Sequence, residues 1–161
     1  MSRSAFVLLL LTLALWPAEA FSQALRATDL VTWRVRAESA APGGNANIYL
    51  DATIEDGWRL YAMDSPVGRP LELTMDTLPD GLAVGDVVQD DPETGYDQGF
   101  EMEYPYFAGS ARVAQILRVS RGMQAGRHTV RGRVSFTVCN DSVCLPPARV
   151  PFRVPVVIAS R

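Results

Sequence analysis

The sequence predicts an all-β protein, an immunoglobulin-like β-sandwich built as a single domain, and three observations predict it. Short runs alternate apolar and polar residues with a period of two. Clusters of Gly, Pro and Asp punctuate those runs. About seven to nine such runs follow one another, with no internal repeat, coiled-coil pattern or low-complexity segment.

Residues 1–20, "MSRSAFVLLLLTLALWPAEA", stand apart from this pattern. Arg3 lies near the amino terminus, an apolar run extends from Ala5 to Trp16, and Ala18-Glu19-Ala20 forms a small-x-small cleavage site. These are the three parts of a secretory signal. The run is too short to span a bilayer comfortably, and no other long apolar stretch follows. We therefore expect a cleaved signal peptide over 1–20, an exported domain over 21–161, and no stable membrane insertion. No cysteine follows the run directly, which argues against a lipid anchor. About 140 residues can bury a core without staples, and an oxidising compartment permits a disulfide.

The elements follow in order. "NIYLDATIE" places Ile48, Leu50, Ala52 and Ile54 on one face and Tyr49, Asp51, Thr53 and Glu55 on the other, a half-buried strand. Asp56-Gly57 makes a turn, "WRLYAM" resumes an extended run, and "PLELTM" alternates again after the breaker-rich "DSPVGRP". Residues 78–109 are dense in Gly, Pro and acids, which predicts one or two short strands separated by a long loop. "SARVAQILRV" and "RHTVRGRVSFTV" are strands; the second sets His128, Val130, Gly132, Val134, Phe136 and Val138 on one side and Cys139 on the other. The last strand, "ARVPFRVPVVIA", turns Val150, Phe152, Val154, Val156 and Ile158 inward, and its Pro151 and Pro155 suit only a sheet edge.

Charge divides along the chain. Residues 21–103 carry sixteen acids against five arginines, a net of −11, whereas 104–161 carry nine arginines against Asp141 alone, a net of +8. Interleaved acidic and basic strands that neutralise each other account for this better than a nucleic-acid surface does. An acidic loop at 86–103 is a candidate partner-facing patch. The chain has no lysine, which excludes a lysine Schiff base and a P-loop. One histidine, His128, cannot found a His-rich metal site, and no motif supports a Ser-His-Asp triad on it.

The remaining candidates for chemistry are the only two cysteines, Cys139 and Cys144, in "TVCNDSVCLPP". Cross-linking the two sheets of a sandwich through a loop of ~60 residues contributes over 4 kcal/mol in the chain-entropy model, whereas closing ~6 residues contributes roughly 2. The pair is thus a weak bolt. Cys139 ends a β-run and Pro146-Pro147 forbids a helix just after Cys144, so this is not a helix-start Cys-x-x-Cys site. A hairpin fits better. The residues alone leave open whether the pair is structural or exchanges electrons.

"VSFTVCNDSVCLPP" resembles the active-site segment of the amino-terminal periplasmic domain of the thiol:disulfide interchange protein DsbD family, in which a strand ends in a cysteine and a second cysteine leads into Pro-Pro. "IEDGWRLY", "YDQGFEMEYPYFAG" and "GRHTVRGRVSFTV" resemble that family's Asp-Gly-aromatic segment, its cap loop with the following strand, and the strand before the site.

The resemblance implies an immunoglobulin-like domain that relays electrons by disulfide exchange, without a cofactor, as a protein-disulfide reductase component. Its partners would be thioredoxin-fold proteins: a membrane reductase as donor, and disulfide isomerases or cytochrome c maturation factors as acceptors. The implied roles are mixed-disulfide formation for Cys144, resolution for Cys139, shielding by the cap aromatic Phe100, and lining of the site by Tyr61 and Asp97. The best-studied members of that family have one more residue between the cysteines, a second site tyrosine where Arg59 aligns, and acids where Gln98 and Gly99 stand, with Asp97 one step further back. The sequence holds neither a membrane electron carrier nor a thioredoxin module, so the expected donor is another protein. The other class considered is a binding module with a structural disulfide and an acidic partner loop; an inactive relative kept as a stabilising subunit is a third.

Overall fold

A computed structural model describes residues 24–99 and 101–160. The expected signal peptide and Phe100 lie outside the described residues.

One helical turn, α1 (Ala27–Leu30), precedes eleven strands: β1 (Val31–Ala37), β2 (Asn45–Ile54), β3 (Arg59–Tyr61), β4 (Glu72–Thr77), β5 (Leu82–Gln89), β6 (Glu93–Asp97), β7 (Met102–Phe107), β8 (Ser110–Val119), β9 (Gly126–Phe136), β10 (Val138–Cys139) and β11 (Ala148–Ile158). They form three antiparallel sheets, ordered β1-β2-β8-β5, β10-β3-β7-β6 and β11-β9-β4. Only Thr137 separates β9 from β10, so one nearly continuous chain passes from the third sheet to the second.

A common core joins the sheets. Ile48 and Leu50 of β2, Val113 and Leu117 of β8, Val130, Val134 and Phe136 of β9, and Val154 and Val156 of β11 all belong to it. Leu60, Phe107 and Val138 add the inner face of the β10-β3-β7-β6 sheet. Trp33 of β1 tilts onto Phe136 with centroids 5.6 Å apart, which ties the first layer to the third sheet. Each of the fully buried aliphatic side chains contributes roughly 1.5–3 kcal/mol by leaving water. The expected alternation holds in β2, where Ile48, Leu50, Ala52 and Ile54 are all buried. It holds in β9 as well, although His128 at the strand's start is only partly covered and its Nε2 lies 2.9 Å from the Gln124 carbonyl. Strand β11 is an edge, as its two prolines require.

Two expectations change. "WRLYAM" shortens to the three-residue β3, and the expected long loop is largely strand. Residues 82–107 form β5, β6 and β7, with β6 and β7 paired from Glu93↔Tyr106 to Asp97↔Met102. Gly95 makes that pairing possible where acid content suggested a loop: a Cβ there would stand 2.9 Å from the Tyr106 ring and 3.2 Å from Tyr104. The expected acidic loop at 86–103 thus contains the end of β5, all of β6 and the start of β7. Charge pairing across strands is direct outside the cysteine turn as well. Asp51 of β2 lies between Arg36 of β1 and Arg112 of β8, and Arg133 of β9 pairs with Asp76 of β4.

Candidate functional site

The β10-β3-β7-β6 sheet has two faces with different tasks. In antiparallel pairs, directly opposed residues share a face. Val138↔Leu60 and Leu60↔Phe107 therefore point together into the core. The alternate set points outward: Cys139↔Arg59, Tyr61↔Tyr106, Gly95↔Tyr104 and Asp97↔Met102. With Glu93, opposite Tyr106, the period of two thus gathers a cysteine, an arginine, three tyrosines and two carboxylates on one surface.

That surface is itself partly roofed. Tyr61, Val67, Tyr104 and Cys139 form a second apolar cluster, separate from the main core. Tyr61 meets Tyr104 edge-on at 5.2 Å between centroids, and Tyr104 meets Tyr106 at 5.5 Å. The loop after β3 fits over Tyr61 only because position 68 is glycine. It has φ +64°, and a Cβ would lie 2.3 Å from Tyr61 Cε2.

Cys139 and Cys144 are joined by a disulfide, with Cα atoms 4.0 Å apart. The chain between them reverses tightly. Asn140 N–H donates to the Val143 carbonyl at 3.0 Å, Leu145 N–H donates to the Val138 carbonyl at 3.0 Å, and the two cysteines form an antiparallel bridge. The Asn140 side-chain oxygen accepts from the N–H groups of Ser142 and Val143, both at 2.9 Å. The two half-cystines differ in access. Cys139 is 4 % exposed, under the tyrosine cluster, whereas Cys144 lies in solvent on the far side of the turn, beside exposed Val143. Sequence periodicity separated Cys139 from the core face correctly, but it did not show that Tyr61, Val67 and Tyr104 cover it.

Tyr61 touches both halves. Its ring is 1 % exposed, and its hydroxyl oxygen lies 3.7 Å from Cys144 Sγ. A disulfide sulfur carries no proton, so the phenol is the donor of that contact. Burial first, then the negative charge of Asp97 and the neighbouring Tyr104, push the Tyr61 hydroxyl up to about 12. It stays protonated at any physiological pH. Asp97 also accepts the Gly99 N–H at 2.8 Å, which fixes the start of the β6–β7 turn.

Arg59 closes the other side. Its Nη1 donates to Asp141 Oδ1 at 2.7 Å, inside the inter-cysteine turn, and its guanidinium lies 5.3 Å from the Tyr106 ring centroid. The hydrogen bond to Asp141 raises the guanidinium above its ordinary value, so its charge is fixed. Between the β6–β7 turn and the cysteine turn opens a polar cavity of about 280 Å³, lined by Arg59, Asp97, Gln98, Tyr104, Asn140 and Asp141 among others.

Of the residues expected at the site, Cys139, Cys144, Tyr61 and Asp97 come together. Tyr104, Val67 and Gly68 were not anticipated. The i, i+2 spacing of Tyr104 and Tyr106 in "EMEYPYF" was the available signal for the first, since it places both rings on one face of a strand. Among the described residues, no group of His, Cys, Asp and Glu could hold a metal ion, and no helix is long and apolar enough to cross a membrane.

Fold and site define an immunoglobulin-like β-sandwich with one disulfide set on the outer face of a tyrosine-lined sheet. The family model described as "Thiol:disulfide interchange protein DsbD, N-terminal" matches residues 27–154, and the chain belongs to that family. Among solved structures, it resembles the reduced DsbD N-terminal domain of Neisseria meningitidis, with a TM-score of 0.59 at 16 % identity over 83 % of this chain and 91 % of that one. It also resembles a complex of the DsbD and PilB N-terminal domains from the same organism, with a TM-score of 0.54 at 14 % identity over 81 % and 87 %. The N-terminal periplasmic domain of ScsB from Proteus mirabilis gives a TM-score of 0.52 at 14 % identity over 80 % of this chain and 47 % of that one. No curated sequence matches.

Proposed function

We propose that this protein is an exported, periplasmic thiol-disulfide exchange domain that relays electrons between thioredoxin-fold partners through Cys139 and Cys144. The observation that carries this reading is the unequal access of the two sulfur-bearing residues: Cys139 buried at 4 %, Cys144 exposed. Exchange proceeds by in-line attack of a thiolate on a disulfide sulfur, so the half that meets a partner must be open, and its neighbour needs only to reach back. A short turn at a sheet end allows this, because opening the bond leaves both layers of the sandwich in place. Family membership supports the same reading, as does the structure in which a DsbD N-terminal domain is held in complex with the PilB N-terminal domain.

In this account Cys144 forms mixed disulfides and Cys139 resolves them. Tyr61 and Asp97 line the site, and Phe100 serves as the cap, a role that rests on its place in the family's cap-loop segment. Export through cleavage after residue 20 belongs to the same proposal. The direct test is trapping. Cys139→Ser, incubated with an oxidised thioredoxin-fold protein, should accumulate a mixed disulfide, while Cys144→Ser should accumulate little; equal trapping by both would refute the division of roles. Phe100→Ala should speed alkylation of the reduced pair without the ~3–5 kcal/mol loss expected of a core phenylalanine. Unchanged alkylation together with that loss would make Phe100 a core residue.

A further inference from the structure

When the pair reduces a partner, the Cys144 thiolate attacks one sulfur of the partner's disulfide. A Cys144–partner S–S bond forms, and the partner's other sulfur leaves as a thiolate. Cys139 then gives up its proton to solvent and attacks Cys144 Sγ, which re-forms the Cys139–Cys144 bond and expels the partner's second sulfur. Two electrons have passed from the pair to the partner. The second step needs Cys139 as a thiolate.

The surroundings of Cys139 oppose that ionisation. It is buried with Tyr61, Val67 and Tyr104, and burial in apolar surroundings disfavours a thiolate. The acids that face this side of the sheet, Asp97 and Glu93 of β6, add negative charge, as does Asp141 in the turn; the phenols of Tyr61, Tyr104 and Tyr106 bring no positive charge. One group acts the other way. Arg59 is the register partner of Cys139, and Cβ atoms of directly opposed residues lie about 4.5–5.5 Å apart. It is the only cationic residue in the four strands of this sheet. Its guanidinium is held by two contacts, Asp141 at 2.7 Å and the Tyr106 ring at 5.3 Å from its centroid.

We propose that Arg59 is the positioning residue of the resolving step, a fixed positive charge set across the β3–β10 pair that makes the buried Cys139 ionisable. The inference rests on the exchange reading above and adds to it a reason why this chain carries a cation at the sheet position next to its inner cysteine. Because Asp141 is largely in solvent, its own charge is screened. Its part is to hold the guanidinium over the turn.

The test separates this inference from the reading on which it rests. In a Cys144→Ser background, Cys139 is titrated alone by thiolate absorbance, with Arg59, Arg59→Lys and Arg59→Leu compared. Removing the cation opposite Cys139 should lower the thiolate fraction at pH 7 by about tenfold, with Lys close to Arg and Asp141→Asn changing less than Arg59→Leu. In the intact pair, the Arg59→Leu variant should resolve a preformed mixed disulfide with an oxidised thioredoxin about tenfold more slowly at pH 7 and recover as pH rises, while attack by Cys144 changes little. Superimposable titrations, or equal slowing by Lys and Leu with no change in pH profile, would overturn the proposal and leave Arg59 as packing. If the Cys139→Ser variant traps no thioredoxin-fold partner, yet the titration of Cys139 in the Cys144→Ser background still follows Arg59, the exchange reading fails and the charge effect stands.

Discussion

The hydroxyl of Tyr61 lies 3.7 Å from the sulfur of Cys144, although the tyrosine is buried and that cysteine is exposed. A single side chain thus reaches from the covered half of the disulfide to the open half. Replacing Tyr61 by Phe keeps the ring contact with Tyr104 and removes only the donor, which should cost about 1 kcal/mol or less. The group also sets an alkaline limit. Its folded value of about 12 lies above the ordinary tyrosine value of 10.0, so the native state holds the proton more tightly. That contribution is complete below pH 10 and is lost as pH rises through 12. Denaturant melts of wild type and Tyr61→Phe between pH 8 and 12 should converge toward the alkaline end; curves that stay parallel would contradict the assignment.

Gly68 supports the same ring from behind. Gly68→Ala adds strain at φ +64° and a clash with Tyr61 Cε2, so it should destabilise by more than about 1 kcal/mol. It should also change the alkylation rate of reduced Cys144. Gly57, with φ +80° and no atom within 4 Å of an added Cβ, is the control. Gly57→Ala should show the strain without the change in thiol reactivity. Identical alkylation rates in the two variants would detach Tyr61 from the site.

Because the disulfide spans a sequence separation of only 5, removing it should matter little to folding. Cys139→Ser with Cys144→Ser should lose about 2 kcal/mol and keep its β-sheet spectrum and cooperative unfolding. Global unfolding of the double variant at room temperature would mark the pair as a structural element.

Acid sensitivity should trace to the far sheet. Asp51 accepts from Arg112 at 2.6 Å and from Arg36 at 3.3 Å. Burial, the largest single influence, pushes its carboxyl up, but the hydrogen bonds and charges of the two arginines together outweigh it and hold the group below 3.8. A depressed carboxylate stabilises the fold above its unfolded value and loses that contribution as pH falls through the folded one. Asp51→Asn should therefore be less stable than wild type at pH 6 and approach it below about pH 4. A constant gap across that range would show that the ion pairs contribute nothing to the acid limb.

Much of the sandwich was legible because its cause is local. The inward set of β2, from Ile48 to Ile54, and that of β9, from Val130 to Phe136, follow from strict alternation. The edge position of β11 follows from Pro151 and Pro155, which have no N–H to offer a neighbour. The β6–β7 pairing was hidden because its acids and glycine read as loop, whereas the deciding contact, Gly95 beneath the Tyr104 and Tyr106 rings, is a cross-strand one. The site was legible in part for the same reason. Cys139 and Cys144 declared themselves as the only cysteines, but the burial of one and exposure of the other depend on Val67, Tyr61 and Tyr104. Those residues come from separate segments, and no local pattern brings them together. The ion pair of Arg59 and Asp141 joins positions 82 residues apart, a distance over which sequence pattern carries no signal.

The equilibrium reduction potential of the Cys139–Cys144 pair against a glutathione buffer tests the central claim most directly. A disulfide that works by exchange, with one half in solvent and a short turn that costs little to open, should have a potential above about −300 mV, within the range of working redox proteins. A potential well below about −300 mV would contradict the account and make the pair a structural cross-link that happens to lie at the surface.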